Sequence, residues 1–552
     1  MKELTFLKRT ALSVLACCVA VCAAGCNQTQ EAATETVETA ELVEEEVVHE
    51  LNPHYTDETN PENFGVEWDI MADDAIVESF EREDKISFGD PDDYFELKGV
   101  STFRGNNYRN DAVYGTTDLD EKKLNIEWEK STGSKGEWSG CGWTGQPLLV
   151  RWDKDAIEHM NIFPDKKEKK GLVEVIYATL DGNIYFFDID DGSATREPIN
   201  VGMTFKGTGT LDPRGYPIMY IGSGIASGGK AQSMFIISLI DGKILYEQSG
   251  SDSFAPRAWY AFDSSPIVDA KTDTLIWPGE NGALYTLKIN SKYDKETGSV
   301  EVAPEVIAKT RYRTTKSKTG NYWNGYECSG VIVDRYLYLS ENGGMFFCIN
   351  LDTMELVWAQ DTLDDSNSTP VFEWDDEGNP YVYTAPSLHW TASGGKGSVN
   401  IFKLDANTGE IQWKMPFDCY TIPNTSGGVQ ASPVLGREGT DLEGIIVYPV
   451  AYTPHQQDGM LVAIDTKTGE KVWEHHMPYY TWSSPVAVYN SSGEACVIVC
   501  DSIGDVNLID GKTGELLDKV NIGANVEASP SVYKDMLVVG TRGCRICGIS
   551  IK

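Results

Sequence analysis

Positive charge is scarce in this sequence: 46 Lys and Arg stand against 84 Asp and Glu in 552 residues, a formal net charge of −38. No basic cluster interrupts that balance, which excludes nucleic acid and anionic lipid headgroups as main partners of the folded part. Lys and Arg are absent from residues 27–50, where Glu occurs eight times. Past residue 25 no apolar run is long enough to cross a bilayer. Adjacent cysteines occur only once, at Cys17-Cys18, so no later segment offers a vicinal disulfide.

The one long apolar run, "ALSVLACCVAVCAAG", follows Lys2, Lys8 and Arg9 and has the length of a secretory h-region. Residues 1–25 read as a lipoprotein signal peptide. "AAGC" resembles a lipobox, with Ala23 where Leu is usual, and makes Cys26 the lipid anchor. Residues 26–50 then form a disordered acidic tether, because so charged and apolar-poor a segment cannot offset its ordering entropy by burial. The expected location is outside the cytoplasm, lipid-anchored at the outer face of the bacterial cytoplasmic membrane or at the cell surface. Contact with membrane is expected through the anchor only.

Eight cysteines remain after the signal and anchor: Cys141, Cys328, Cys348, Cys419, Cys496, Cys500, Cys544 and Cys547. Their pairing cannot be deduced from spacing. A fold this large does not need disulfides.

A recurring device organises the rest: a small or polar residue, usually Pro, then an apolar run. It appears at Pro147, Pro213, Pro266, Gly330, Pro370, Pro433, Pro485 and Pro530. The mean interval is about 55 residues, somewhat longer than a four-stranded propeller blade, so the excess falls in loops. Each unit carries alternating runs joined by hairpin dipeptides, as at Asp181-Gly182 and Asn281-Gly282. The expectation is an all-β, eight-bladed β-propeller of four-stranded antiparallel blades over residues 124–552. The last unit has only three strands, and "KLNIEWEK" near residue 123 supplies the fourth, closing the ring. Residues 51–123 form an N-terminal extension that packs on the ring.

The string "AIDTKTGEKVW", Ala463 to Trp473, matches A-x-D-x-x-T-G-x-x-x-W, the tryptophan-docking repeat of PQQ-like (quinoprotein dehydrogenase-like) propellers. Looser copies end in Trp358 and Trp413, and Trp128 takes the same place in the closing strand. These four tryptophans are read as blade-docking. "TFRGNNYRNDAVYG", Thr102 to Gly115, resembles a segment that often precedes such propellers. The whole resembles BamB-type propeller lipoproteins, which implies a scaffold without cofactor. Dehydrogenases of the same resemblance hold a quinone between a Trp and a vicinal disulfide, with calcium on acidic and amide side chains, and no residue past the signal matches that clamp.

Other motifs are turns and loops. "GIASGGKA" lacks the Ser or Thr of a phosphate loop and runs into a strand. "DIDDG" does not have calcium-loop spacing. No catalytic residue and no metal site are expected. The loops that precede innermost strands, together with the long second loops, are rich in aromatics: Trp138, Trp143, Trp259, Tyr260, Trp323, Tyr326, His389, Trp390, His455, Tyr480 and Trp482. These are the candidate ligand-binding residues, lining a central funnel suited to a glycan, peptide or protein segment. The reading is a non-catalytic, monomeric binding or scaffold propeller with an envelope or extracellular partner and no cofactor. The alternative is a dehydrogenase of alcohols or sugars using PQQ and calcium.

Overall fold

Alternating apolar runs become strands, and each set of four forms one blade of an eight-bladed propeller in the computed structural model, which describes residues 49–143, 145–320, 322–423 and 425–552. The expected signal peptide, Cys26 and the expected tether up to residue 48 lie outside the described residues. Blade 4 shows the pattern, running outward from the axis through Val331–Val333, Tyr336–Ser340, Met345–Asn350 and Glu355–Asp361, all antiparallel. Inner strands are buried on both faces, so they read as continuous apolar runs. The outer strand of blade 4 is buried only over Trp358–Gln360 and more open at both ends.

Ring closure uses the N-terminal strand Leu124–Ser131, which pairs antiparallel with Arg545–Ile551, Ile551 opposite Leu124 and Arg545 opposite Ser131. One blade therefore holds both ends of the ring. The innermost strand of blade 2 is Thr210–Leu211, which lies ahead of Pro213 and not after it. This corrects the expected place of Pro213 in the repeat. Thr208 takes the position that Ser265 holds in blade 3, because the chain enters that strand through Gly207 and Gly209 without a proline.

The docking tryptophans explain the Thr-Gly turn. Trp358 donates from Nε1 to the Ala406 carbonyl of blade 5 at 3.1 Å, Trp413 to Thr466 at 2.9 Å, Trp473 to Gly511 at 2.9 Å, and Trp128 to Ile189 at 2.8 Å. Each ring lies on the turn glycine of the following blade. A Cβ on Gly409 would stand 2.6 Å from the Trp358 ring, and that glycine also has a φ of +74°. Asp405 fixes the same turn by accepting from the Asn407 and Thr408 amides. The repeat motif thus spans two blades: the Trp of one seats on the turn of the next. Trp358→Ala, at a fully buried site, is expected to cost about 3–5 kcal/mol of stability in urea titration, with the cavity left behind adding to the lost burial.

The Ser-Pro device has an equally concrete role. In most units the backbone N–H just before the innermost strand donates to the hydroxyl of the corresponding residue one blade on. The links run from Ser265 to Ser329 (2.8 Å), Ser329 to Thr369 (3.0 Å), Thr369 to Ser432 (3.1 Å), Ser432 to Ser484 (3.0 Å) and Ser484 to Ser529 (3.2 Å). Gln146 donates likewise to Thr208 at 2.7 Å. This belt satisfies amides that the inner strand edge would otherwise leave buried without a partner.

Residues 51–123 bind the ring in two ways. The strand Glu67–Ala72 pairs with Glu305–Arg313 and widens blade 3, while Lys98–Val100 pairs with Leu148–Arg151 of blade 1. Between these and the closing strand, the segment Thr102–Asp111 enters the axis of the propeller. Arg104 donates to the carbonyls of Pro485 (2.6 Å) and Pro433 (2.7 Å), and Arg109 to those of Gly330 (3.0 Å), Ser265 (3.1 Å) and Phe103 (2.8 Å). Two guanidiniums tie together the starts of blades 3, 4, 6 and 7. Burial lowers the pKa of each to about 10, which leaves both charged at neutral pH. The "FRG…R" segment is therefore an axial plug.

Candidate functional site

Two residues ahead of the belt positions of blades 2 to 8, on the loops that lead into the inner strands, stand Lys206, Asp263, Glu327, Asn367, Gln430, Trp482 and Glu527, a ring that is polar except at Trp482. Their local setting is the same in these seven blades, a loop pinned by the belt hydroxyl and the inner strand that follows it. Their identities differ, which is why no motif announces them.

The ring is most charged at blades 2 to 4. Lys206 forms an ion pair with Asp263 and stands 3.7 Å from Glu327. Glu280, from the "PGENG" hairpin of blade 3, joins them, and one carboxylate oxygen from each of Asp263, Glu280 and Glu327 lies within 4.8 Å of the other two. Asp263 and Glu280 are only 6% and 3% exposed. Burial and the neighbouring carboxylates of Glu327 and Asp263 raise the Glu280 pKa well above the ordinary value, and burial raises that of Glu327 despite Lys206. Burial opposes the charge on Lys206 too, but Asp263, Glu280 and Glu327 outweigh it and raise the pKa of the ammonium.

An amide system continues the ring. Asn342 Nδ2 donates to Asp365 at 2.9 Å and Glu327 at 3.3 Å, and Asn367 Nδ2 donates to Asp365 at 3.1 Å and Gln430 at 3.0 Å. Burial and Glu327 push Asp365 well above the usual carboxylate range. Gly325, at φ +150°, admits this packing, since a Cβ there would stand 2.7 Å from Asn342 Oδ1.

Aromatics flank the ring in two arcs. On the acidic side Trp259 donates from Nε1 to Glu280, and Trp323 packs edge-on to Trp390 at 4.8 Å and tilted against His389 at 5.4 Å. Arg257 lies 4.7 Å from the Trp323 ring and 6.0 Å from that of Trp259. Trp390 is fixed by its Nε1 hydrogen bond to the Asn342 carbonyl at 2.8 Å. On the other side Trp143 meets Trp482 at 5.6 Å, Trp482 meets Tyr480 at 5.6 Å, and Lys206 lies 5.4 Å from the Trp143 ring. Trp138 stands beside Arg542, itself paired with Glu527 of the ring.

Not every expected rim residue belongs to these arcs. Tyr326 is fully buried and packs on Tyr312 and the core between blades 3 and 4, so it offers no face to a ligand. His455 is exposed and bonded to Asp458 at 2.7 Å. Tyr260 is half-buried and makes no ring contact with the two arcs among the described residues. Among the indoles of the two arcs the exposed ones are Trp259 and Trp323, 39% and 46% accessible. What sequence reasoning missed is the polar ring, whose signal is a fixed offset from the belt residue and not a residue type.

The groups that a quinoprotein resemblance implies can be tested on these residues. The acidic and amide set around Glu280 and Asn342 has the donor chemistry of a hard cation. The quinone clamp does not fit. All eight described cysteines are free, no two are adjacent, and Cys496, Cys500 and Cys547 fill the apolar core between blades 7 and 8. "DIDDG" is a turn whose Asp188 is paired with Lys166 and Lys169.

Comparison with known proteins gives the fold. A family model described as outer membrane protein assembly factor BamB matches residues 392–532 and 457–552, blades 5 to 8. Quinohemoprotein alcohol dehydrogenase ADHIIG from Pseudomonas putida HK5 superposes with a TM-score of 0.56 at 12% identity, covering 85% of this chain and 83% of that one. The quinohemoprotein alcohol dehydrogenase from Comamonas testosteroni gives 0.50 at 13% identity, over 84% and 82%. BamB from Moraxella catarrhalis gives 0.44 at 14% identity, over 77% and 98%. No curated protein matches the sequence. The similarities support a PQQ-like β-propeller.

Proposed function

We propose that this PQQ-like β-propeller works by binding: an exported, lipid-anchored scaffold that recognises a glycan, peptide or protein segment at the aromatic arcs that flank its polar ring. The observation that carries this reading is the pair of exposed indoles, Trp259, tied to the buried Glu280, and Trp323, packed by Arg257 and Trp390. Rigid aromatics offer contact area at little entropic cost, and the polar ring below supplies orientation.

Trp323→Ala and Trp259→Ala are each expected to weaken binding by about 1–3 kcal/mol, the scale of interface hot spots. Because nearly half of the Trp323 surface is already exposed, its melting temperature should move little. Binding partners captured from envelope extract by the parent protein and lost with Trp323→Ala would support the reading. Equal capture by both would refute it.

Anchoring has its own test. Cys26→Ser should move the protein from the membrane pellet to the supernatant, since a single lipidated residue carries the acyl chains. The dehydrogenase alternative draws on the acidic and amide set, and against it stands the missing cysteine clamp. Turnover of an alcohol or sugar by protein supplied with quinone, calcium and an artificial electron acceptor would establish that alternative.

A further inference from the structure

The plug leaves positive charge unbalanced where it passes blades 6 and 7. Arg104 is 1% exposed, and while Nη1 and Nη2 reach the Pro485 and Pro433 carbonyls, its Nε has no hydrogen-bond partner among the described residues. Those carbonyls satisfy N–H groups without offsetting the charge. Asp111 is the one carboxylate among the described residues that acts on Arg104, and it is already engaged: one oxygen accepts from Arg437 Nη2 and the other from the Val113 amide at 3.0 Å. Two guanidiniums against one carboxylate leave one positive charge over.

These groups line one small cavity between the inner strands Val434–Leu435 of blade 6 and Val486–Tyr489 of blade 7. Its volume is about 10 Å3, room for a single water-sized occupant. The polar wall, formed by Arg104, Asn110, Asp111 and Arg437, is rich in unused donors. Arg437 spends only Nη2, on Asp111 and on the Val113 carbonyl at 3.4 Å, so its Nε and Nη1 have no acceptor among the described residues. Asn110 accepts from Asn106 through Oδ1 at 2.8 Å, which keeps its own Nδ2 as a donor.

We propose that this cavity binds one small monovalent anion of the halide class, held between Arg104 and Arg437. A water molecule could accept from Nε but would leave the buried charge unpaired, whereas an anion satisfies the donor and brings the cluster to neutrality. The wall at Arg437 is the open one, with 36% of that side chain exposed, so an ion slightly larger than water needs only this residue to give. Sulfate, phosphate and organic carboxylates are too large. The net charge of −38 repels anions from a distance, but salt screens that field beyond about 8–10 Å, and the local surplus decides. The site belongs to the plug and is independent of the binding reading at the aromatic arcs. Its consequence is that the axial tie between blades becomes linked to halide concentration, since an ion bound only by the folded ring stabilises it.

Chloride is the probe, with sodium gluconate, too large for the cavity, holding ionic strength constant. In full-length protein the melting temperature is expected to rise with chloride along a saturating one-site curve. In Arg437→Gln that rise should vanish, because the remaining pair, Arg104 and Asp111, is already neutral. General salt effects act on both proteins alike, so the difference between them reads the site. Crystals of the parent protein soaked in sodium bromide should show an anomalous peak between Arg104 and Arg437. Identical melting curves in chloride and gluconate, or a chloride effect equal in parent and variant, would overturn the proposal. So would bromide found only on the surface, with water in the cavity. Should Arg437→Gln fail to fold, the bromide crystal decides.

Discussion

Arg109→Ala is expected to lower folding stability by about 3–5 kcal/mol, since four buried acceptors lose their charged donor and each unsatisfied buried group costs on the order of 1–3 kcal/mol. The guanidinium is 1% exposed and donates to the Gly330, Ser265 and Phe103 carbonyls and to Thr102 Oγ1. Truncation leaves all four acceptors facing a void on the axis. Arg109→Lys should recover little, because one ammonium cannot reach acceptors spread over two blades and the plug itself. The same argument applies to Arg104, whose two nitrogens link blades 6 and 7. Chemical denaturation of the single and double variants measures the effect. A loss below about 1 kcal/mol for Arg109→Ala would show that the plug rests on the ring without holding it.

The sequence made the blades legible and hid the axis, for a physical reason. Blade strands pair with near neighbours, so alternation and turn dipeptides record them, and the docking Trp records the blade that follows. The plug pairs with residues 156 to 381 positions away, through backbone carbonyls that carry no sequence signal. Arg104 and Arg109 were visible as a resemblance but not as a function. Pro213 misled for a related reason: a proline after the strand resembled one before it, whereas blade 2 uses glycines to enter. At the arcs, the aromatic loops were visible because Trp is rare, while Glu280 sat inside an ordinary "ENG" hairpin. Tyr326 was counted with the rim because it precedes the inner strand closely. Its position one residue ahead of Glu327 turns it the other way, into the core.

Separating the plug from the closing strand gives the other large effect. A chain beginning at Asp120 loses the plug but keeps Leu124–Ser131. One beginning at Thr132 loses both. The first should fold with reduced stability, since the blades still close although the axial hydrogen bonds and the outer strand pairings of Glu67–Ala72 and Lys98–Val100 are gone. The second should aggregate. Without its partner, the strand Arg545–Ile551 presents an unpaired edge along seven residues, with Ile546, Cys547, Ile549 and Ile551 buried in the intact ring now bordering it. Such an edge templates pairing with another copy. The turn of blade 1 also loses Trp128, whose ring covers Gly192 and Gly548. Size-exclusion profiles of the two truncations, refolded side by side, read the difference. Equal monomer yields would show that the ring does not depend on Leu124–Ser131 for closure. Trp128→Ala in the full chain offers the milder version, with an expected loss of about 3–5 kcal/mol and no change in association state, because the backbone ladder of the closing strand survives.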